Sequence, residues 1–326
     1  MRRLLLGMLL GAWLTQPAWT LDLQGHRGAR GLLPENTLAA FAKALEIGVS
    51  TLELDIAITR DGVPVISHDP QLNSDITRGP DGAFLQASGP PISSLTWEEL
   101  QRYDVGRLKP GSRYGASFAQ QQALDGARIP RLTDLFELVR RAGNESVRFA
   151  IETKVSPLEP ALTLAPDVFT RKLIATIREA GMAQRSAIIS FDWRTLRLVQ
   201  QEAPEIATVY ISIQTRGFDN IRADDNAASP WTAGLRHRDH GSVPAMIKAA
   251  GGRFWSAFYG DLNPAKVKLA HELGIEVLAW TVNEPAQIAR LLDLGVDGII
   301  SDFPDRVRAE MLRRGLPVPP ASPLKP

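Results

Sequence analysis

Residues 52–69 read LELDIAITRDGVPVISHD, and this stretch organises the predicted fold. Its first half alternates apolar and polar residues as a β-strand does, so Glu53 and Asp55 share one face of that strand. The pair Asp61-Gly62 signals a tight turn, after which a second strand returns toward His68. Folding back at this turn brings His68 opposite Asp55, so one hairpin carries two carboxylates and an imidazole to the same place.

This hairpin predicts a metal-assisted acid–base site. Two carboxylates on one face of an apolar strand are costly to bury unless a cation lies between them. An alternative interpretation is a solvated surface hairpin with ordinary polar residues, because paired carboxylates on strands are often exposed.

The composition is ordinary for a globular protein of 326 residues, with 44% hydrophobic and 22% charged residues. The formal net charge is only +1, from 37 basic and 36 acidic residues, which argues against a nucleic acid as a partner. The chain contains no cysteine, which excludes disulfides, thiolate metal ligands and a lipid-modified cysteine after a signal peptide.

Residues 1–20 resemble a signal peptide rather than part of the fold. Arg2-Arg3 precede an apolar segment at 4–14 that is too short to span a bilayer, and cleavage is expected after Ala18 or Thr20. A buried N-terminal helix is the alternative. The sequence therefore predicts an exported protein, periplasmic or secreted, with no stable membrane anchor after signal cleavage.

Strands and helices alternate through most of the mature chain. With the return strand of the hairpin set aside, the predicted strands begin near residues 22, 51, 147, 186, 206, 253, 275 and 296. This pattern predicts an α/β fold, a (β/α)8 TIM-type barrel over residues 21–315, in which the chemistry lies at the carboxyl ends of the strands. An open doubly wound sheet is the alternative.

Three segments interrupt this alternation. Residues 69–130 are rich in Gly-Pro pairs and predict an inserted segment after the hairpin on the second strand, with one short capped helix near residues 96–100. Residues 214–241 form a polar loop. The tail at 316–326, LPVPPASPLKP, is Pro-rich and is predicted to be disordered.

Chemically useful side chains recur at the predicted strand ends. Glu152 follows the third strand and adds a third carboxylate to Glu53 and Asp55, a ligand set that suits Ca²⁺ or Mg²⁺. Arg27 and Lys154 are cations that can hold an anionic group.

Two histidines, His26 and His68, complete the set, because imidazoles titrate near neutrality. Phosphodiester hydrolysis needs one group that activates the attacking oxygen and another that protonates the leaving alcohol. Ordinary structural roles are the alternatives: His26 hydrogen-bonded at a strand end, Lys154 paired with Glu152, and Trp280 packed in the core.

Several strings together are similar to the glycerophosphodiester phosphodiesterase family over residues 21–313. They are HRGARGLLPENT at 26–37, ELDIAITRDGVPVISHD at 53–69, ETK at 152–154, SF at 190–191, WTVN at 280–283 and GVDGIISDFP at 295–304. The resemblance implies a TIM-type barrel with an inserted segment. It also implies metal-dependent hydrolysis of small-molecule glycerophosphodiesters to sn-glycerol 3-phosphate and an alcohol.

The resemblance also implies roles for individual residues. His26 and His68 match the acid–base pair of the family, Arg27 and Lys154 match its phosphate contacts, and Trp280 matches the aromatic residue on the glycerol side.

The metal ligands implied by the resemblance are Glu53, Asp55 and Glu152, around one divalent cation, Ca²⁺ or Mg²⁺. Glu35 and Asn36 lie in the PENT string, where we expect them to support the residues that contact the metal and substrate.

Two other functions remain open from the sequence. The same site could act on the headgroups of lysophospholipids or sphingolipids, which requires an apolar groove. A non-catalytic periplasmic protein that binds glycerophosphodiesters is the other alternative, and such a protein is expected to have two lobes and a hinge.

Overall fold

The computed structural model describes residues 21–324, so the predicted signal peptide at 1–20 lies outside the described residues. Within this range the strands form one nine-stranded sheet. The strands are β1 (Asp22–Gly25), β2 (Thr51–Ile58), β3 (Pro64–Ile66), β4 (Arg148–Thr153), β5 (Ser186–Ser190), β6 (Ala207–Ser212), β7 (Phe254–Phe258), β8 (Glu276–Trp280) and β9 (Gly298–Ser301).

Eight of these strands close into a parallel barrel. Strand β1 pairs in parallel with both β2 and β9, and the remaining neighbours are parallel from β2 through β4 to β9. Strand β3 lies outside the ring and pairs antiparallel with β2, as the hairpin predicts. The predicted (β/α)8 TIM-type barrel is therefore confirmed, and the open doubly wound sheet is wrong.

Helices connect the parallel strands and cover the outside of the barrel. Among residues 21–324 they are α1 (Leu38–Ile47), α2 (Trp97–Leu100), α3 (Arg113–Ala116), α4 (Leu132–Arg141), α5 (Pro166–Glu179), α6 (Trp193–Glu202), α7 (His237–His240), α8 (Val243–Ala249), α9 (Pro264–Glu272), α10 (Pro285–Leu294) and α11 (Pro304–Arg313).

Local signals in the sequence start many of these helices. Thr37 caps α1 by accepting a hydrogen bond from the Ala40 amide, and Asp192 caps α6 by accepting one from the Arg194 amide. Helices α10 and α11 begin with proline, whose fixed φ suits the first helical turn.

Strand β2 shows how the alternation positions the site. All eight of its residues are buried. Leu52, Leu54 and Ile56 belong to the main apolar core beneath the helices, whereas Glu53 and Asp55 point to the barrel interior. A smaller apolar cluster fills the interior, formed by Ala150, Ile189, Val209, Ile211 and Leu278. The carboxylates therefore lie on top of a packed interior rather than in a pore.

The segment at 69–130 packs on the hairpin as an excursion from the barrel. Its apolar residues form a separate cluster with Ala57 and Val65 of the hairpin. The predicted short helix is present as α2, and its capping box pairs Thr96 with Glu99.

The Pro-rich tail differs from the predicted disorder over residues 316–324. The Ser322 amide donates to the Leu45 carbonyl at 2.8 Å, and Arg308 Nη1 donates to the Pro319 carbonyl at 2.6 Å. The tail is ordered because its backbone groups find partners on the barrel. None of the helices within residues 21–324 combines the length and apolar character that a transmembrane span requires.

Candidate active site

All ten predicted site residues lie at the carboxyl end of the barrel. A cavity of about 200 Å³ at this end is lined by seven of them, namely His26, Arg27, Glu53, His68, Glu152, Lys154 and Trp280. The other three, Glu35, Asn36 and Asp55, lie behind the lining and contact Arg27 or one another. The hairpin is therefore part of a buried site, and its interpretation as a solvated surface feature is wrong.

Glu53, Asp55 and Glu152 form a compact cluster of carboxylates. One oxygen from each lies within 4.8 Å of the others, and the register of β2 and β4 places Asp55 beside Glu152. Burial and the neighbouring carboxylates Asp55 and Glu152 raise the pKa of Glu53 well above its ordinary value. Burial also raises the pKa of Glu152, although Lys154 opposes this shift.

The donor set fits a hard divalent cation. Asp55 is 1% exposed, yet its Oδ1 accepts no hydrogen bond within the described residues and has an ion pair to Lys154 Nζ at 3.6 Å. A buried carboxylate oxygen without a hydrogen bond is unusual and requires an explanation. Three converging carboxylates match the oxygen ligands that Ca²⁺ and Mg²⁺ prefer.

Two cations offset the charge of the cluster. Arg27 Nε lies 3.2 Å from Asp55 Oδ2, and Lys154 Nζ lies 2.7 Å from Glu152 Oε1. Burial opposes ionisation of Asp55, but Arg27 holds the pKa of this carboxyl well below its usual range. Asn36 Nδ2 also donates to Asp55 Oδ2 at 2.9 Å.

The backbone of Arg27 is held in an uncommon conformation. Its φ of 48° lies in the left-handed region, which is unfavourable for a residue with a Cβ. The Arg27 amide donates to Glu53 Oε2 at 2.9 Å, and its Nη1 donates to Glu35 Oε1 at 2.6 Å. These contacts at both ends of the residue hold the guanidinium against the carboxylate cluster.

Each histidine is oriented by its own carboxylate. His26 Nδ1 lies 2.6 Å from Asp302 Oδ1, and its Nε2 lies 3.8 Å from Glu53 Oε2. His68 Nδ1 lies 2.8 Å from Asp69 Oδ1. In both rings Nδ1 contacts a carboxylate, so Nε2 is the nitrogen available for proton transfer.

Both imidazoles favour the neutral form. Burial lowers the pKa of His26, helped by Arg30 and opposed by Asp302. Burial lowers the pKa of His68 well below its ordinary value, and Arg27 and Lys154 lower it further. A neutral imidazole can accept a proton from an attacking oxygen.

Sequence reasoning placed Asp302 after the last strand without a role, and it missed the contacts that hold His26. Asp302 accepts hydrogen bonds from Arg30 Nε at 2.8 Å and from Asn283 Nδ2 at 2.7 Å, in addition to its contact with His26. Asp302 lies in the SDFP string directly after β9, so the sequence places it at the carboxyl end of the barrel, and its contacts assign its role.

Tyr114, on helix α3 of the inserted segment, was also missed. Its hydroxyl hydrogen-bonds to Glu35 and accepts from Arg30 Nη1 at 3.1 Å. No motif in residues 69–130 signals this contact. The inserted segment therefore closes one side of the site and buries the arginines there.

A second cavity of about 330 Å³ adjoins the first and shares His68, Glu152, Lys154, Phe191 and Trp280 with it. A phosphate held at Lys154 would therefore have space on two sides. Taken together, the cations, the oriented histidines and the carboxylate cluster can bind a phosphodiester, move protons and hold a metal.

Comparison with known proteins agrees with this chemistry. The profile of the family described as "Glycerophosphoryl diester phosphodiesterase family" matches residues 26–306. A glycerophosphodiester phosphodiesterase from Caldanaerobacter subterraneus is 29% identical over 290 residues, which are 89% of this chain and 97% of the relative.

Solved structures show the same fold. One from Silicibacter pomeroyi, assigned to the glycerophosphoryl diester phosphodiesterases, is 35% identical with a TM-score of 0.81, over 92% of this chain and 96% of the other. A phosphodiesterase from Oleispira antarctica, solved with its product sn-glycerol-3-phosphate, is 23% identical with a TM-score of 0.63, over 90% and 97% of the two chains. The resemblance in the sequence motifs is thus confirmed, and the chain is an enzyme that belongs to the glycerophosphoryl diester phosphodiesterase family.

Proposed function

We propose that this protein hydrolyses glycerophosphodiesters to sn-glycerol 3-phosphate and an alcohol, with His26 and His68 as the acid–base pair and one divalent cation. The observation that carries the proposal is one cavity lined by both histidines, both cations and two carboxylates of the cluster, Glu53 and Glu152. The name of the Caldanaerobacter relative, which covers most of this chain, supports the substrate class.

The cations and the histidines of the site have separate roles in this reaction. Arg27 and Lys154 hold the phosphoryl oxygens, the guanidinium by a two-pronged contact and the ammonium as a point charge. One imidazole is neutral and takes a proton at Nε2 from the attacking oxygen, and the other enters the step protonated and gives its Nε2 proton to the leaving alcohol.

Glu53, Asp55 and Glu152 would hold the cation, Ca²⁺ or Mg²⁺, which when bound supplies Lewis-acid stabilisation of the charge that develops on the phosphoryl group. Asp302 keeps His26 turned so that Nε2 faces this cluster. Asp69 contacts His68 Nδ1 and leaves Nε2 free, and the other oxygen of Asp69 accepts from Asn73 Nδ2 at 2.7 Å.

The alternatives receive less support. A periplasmic binding protein is expected to have two lobes and a hinge, whereas the parallel strands between Asp22 and Ser301 form one barrel. We propose in addition that the protein is exported, on the basis of the basic, apolar and small residues at 1–20. N-terminal sequencing of the protein from a cell envelope fraction tests this, and an intact Met1 on mature protein would contradict it.

A coupled assay tests the reaction. The purified enzyme is given glycerophosphocholine with Ca²⁺, with Mg²⁺ or with excess chelator, and release of sn-glycerol 3-phosphate is followed. We expect metal-dependent release, and His26→Ala and His68→Ala should each lower kcat by about 10²–10⁴-fold.

His271→Ala is the matched control, because His271 is exposed on helix α9. Near wild-type kcat in both active-site variants would show that these histidines are not the acid and base. Equal rates with metal and with chelator would contradict the role of the carboxylate cluster.

A further inference from the structure

The second cavity is walled by four aromatic rings: Phe191 at the end of β5, Trp280 at the end of β8, and Phe218 and Trp231 from the loop after β6. Leu162 and Val155 add apolar surface, and the lining is more apolar than that of the first cavity. Residues that line both cavities include His68 and Lys154, so the second cavity begins where the phosphate would be held.

The rings contact one another at steep angles. Phe191 and Trp280 have centroids 5.5 Å apart at 88°, Phe191 and Phe218 are 5.4 Å apart at 59°, and Phe218 and Trp231 are 5.3 Å apart at 76°. Because the rings meet at steep angles, they do not stack flat on one another and they line the cavity in different orientations. Such a wall suits a rounded cation, which is attracted to ring faces within about 6 Å of the centroid.

The charges around this cavity also favour a cation. Its ionisable lining residues are His68, Glu152, Lys154 and Glu159. Lys154 is already paired with Glu152 at 2.7 Å, so these two charges offset each other. Glu159 is exposed at the mouth and contributes a further carboxylate. An ammonium group that enters the cavity would therefore meet aromatic rings and the exposed carboxylate of Glu159.

Size argues against a long acyl chain as the occupant. The cavity of about 330 Å³ is at the lower end of the range for small-molecule sites. It suits a short headgroup, whereas the first cavity, with its carboxylates, suits the hydroxyl groups of glycerol.

We infer that this aromatic cavity binds the leaving alcohol, an inference that rests on the proposed function. The cavity then selects glycerophosphodiesters whose alcohol carries a quaternary ammonium group, as in choline. The phosphate at Lys154 then has its glycerol arm in the first cavity and its choline arm among Phe191, Phe218 and Trp231.

A matched pair of substrates tests this inference. Glycerophosphocholine is compared with the diester of 3,3-dimethylbutanol, which has the same shape but carbon in place of the charged nitrogen. We expect kcat/KM of the wild type to favour the choline diester by about tenfold, because only the cation is attracted to the ring faces.

Phe218→Leu keeps apolar bulk on a partly exposed loop residue but removes a ring face, so it should lower this preference about three- to fivefold. Glu159→Gln should lower it about twofold at low salt and less at high salt, because the carboxylate is exposed. Phe84→Leu, in the inserted segment and away from both cavities, is the matched control and should keep the wild-type preference.

The outcomes separate the inference from the proposed function. Hydrolysis of both diesters with the same kcat/KM, or with the neutral one preferred, upholds the proposed function and overturns the inference. If neither diester is hydrolysed, the proposed function fails, and calorimetry with free choline and 3,3-dimethylbutanol decides the inference. Choline binding that is at least fivefold tighter and is weakened by Phe218→Leu upholds it, and equal or absent binding overturns it.

Discussion

Replacing one carboxylate of the cluster should stabilise the protein without metal and remove its response to metal. The change is Glu53→Gln. Glu53 is 2% exposed and lies within 4.8 Å of the carboxylates of Asp55 and Glu152. Its Oε2 accepts a hydrogen bond from the Arg27 amide, and a glutamine carbonyl can accept the same bond. The substitution therefore removes charge while it keeps shape and the main contact.

The magnitude follows from the distances. Two unit charges about 4.8 Å apart repel by about 3 kcal/mol at an effective dielectric constant of about 20. Arg27 and Lys154 offset part of this repulsion, so we expect a net gain of about 1–2 kcal/mol in the free energy of unfolding in chelator. For a chain of this size that gain corresponds to a rise in Tm of about 2–3 °C.

The effect should depend on pH with a definite sign. Burial and the neighbouring carboxylates raise the pKa of Glu53 on folding, so the wild type loses stability as pH rises above the ordinary carboxyl range. Below that range Glu53 is protonated in both the folded and the unfolded state. The Tm difference between Glu53→Gln and wild type should therefore be small near pH 4 and largest near pH 8.

Metal should reverse the order of stability. A cation at about 100 times its Kd adds about 2.7 kcal/mol to the wild type, whereas the variant lacks one ligand and gains little. Differential scanning fluorimetry in chelator and in excess Ca²⁺ measures both differences. Glu179→Gln, which removes the same charge from an exposed helical position, is the control and should leave both values unchanged. A variant no more stable than wild type in chelator, or equally stabilised by Ca²⁺, would refute this reasoning.

Three further variants test other parts of the structure. Asp302→Asn should lower kcat by about 10²–10⁴-fold with little change in KM in the glycerophosphocholine assay, because His26 loses the carboxylate that orients it; an unchanged kcat would contradict that role. Tyr114→Phe should lower kcat/KM about tenfold, since Glu35 and Arg30 lose a hydrogen-bond partner, and a wild-type value would show that α3 only covers the site. Phe149→Ala should reduce the free energy of unfolding by about 3–5 kcal/mol in urea titrations, because this fully buried ring packs edge-to-face on Phe136; a loss under about 1 kcal/mol would mean that the core relaxes around the cavity.

The strands and most of the site could be predicted from the sequence, because both depend on the alternation of apolar and polar residues along each strand. Alternation along β2 places Glu53 and Asp55 on the face opposite Leu54, and the structure shows the same division. The parallel register then brings Glu152 beside Asp55 without any further information. Residues at the ends of parallel strands converge in a barrel, so the strand ends identify much of the site.

Residues on the inserted segment and on loops could not be predicted in this way. Tyr114, Phe218 and Trp231 lie in segments without a regular apolar period, and their positions depend on packing against the finished barrel. Asp302 is a different case, because it lies at a strand end but resembles the other acidic residues of the sequence. Only its contacts with His26 and Arg30 distinguish it.

The Pro-rich tail shows that amino-acid composition alone does not predict whether a segment is ordered. Its prolines and small residues are typical of disordered segments, because they offer little surface to bury. Pro319 and Ser322 make their contacts largely through backbone atoms, and amino-acid composition gives no information about such contacts. Order in such a segment is therefore decided by the partners that the barrel happens to present.

The packed interior of the barrel and its carboxyl end differ in the free-energy cost of the groups they bury. The interior below the site is filled by ordinary apolar side chains, whereas the carboxyl end concentrates like charges and a left-handed backbone at Arg27. Such features persist only where the surrounding structure holds them in place. Here the inserted segment supplies Tyr114 to Glu35, and Glu35 in turn holds Arg27. The inserted segment and the carboxylate cluster are thus energetically linked, so variation in residues 69–130 can alter the site without changing a single residue of the barrel.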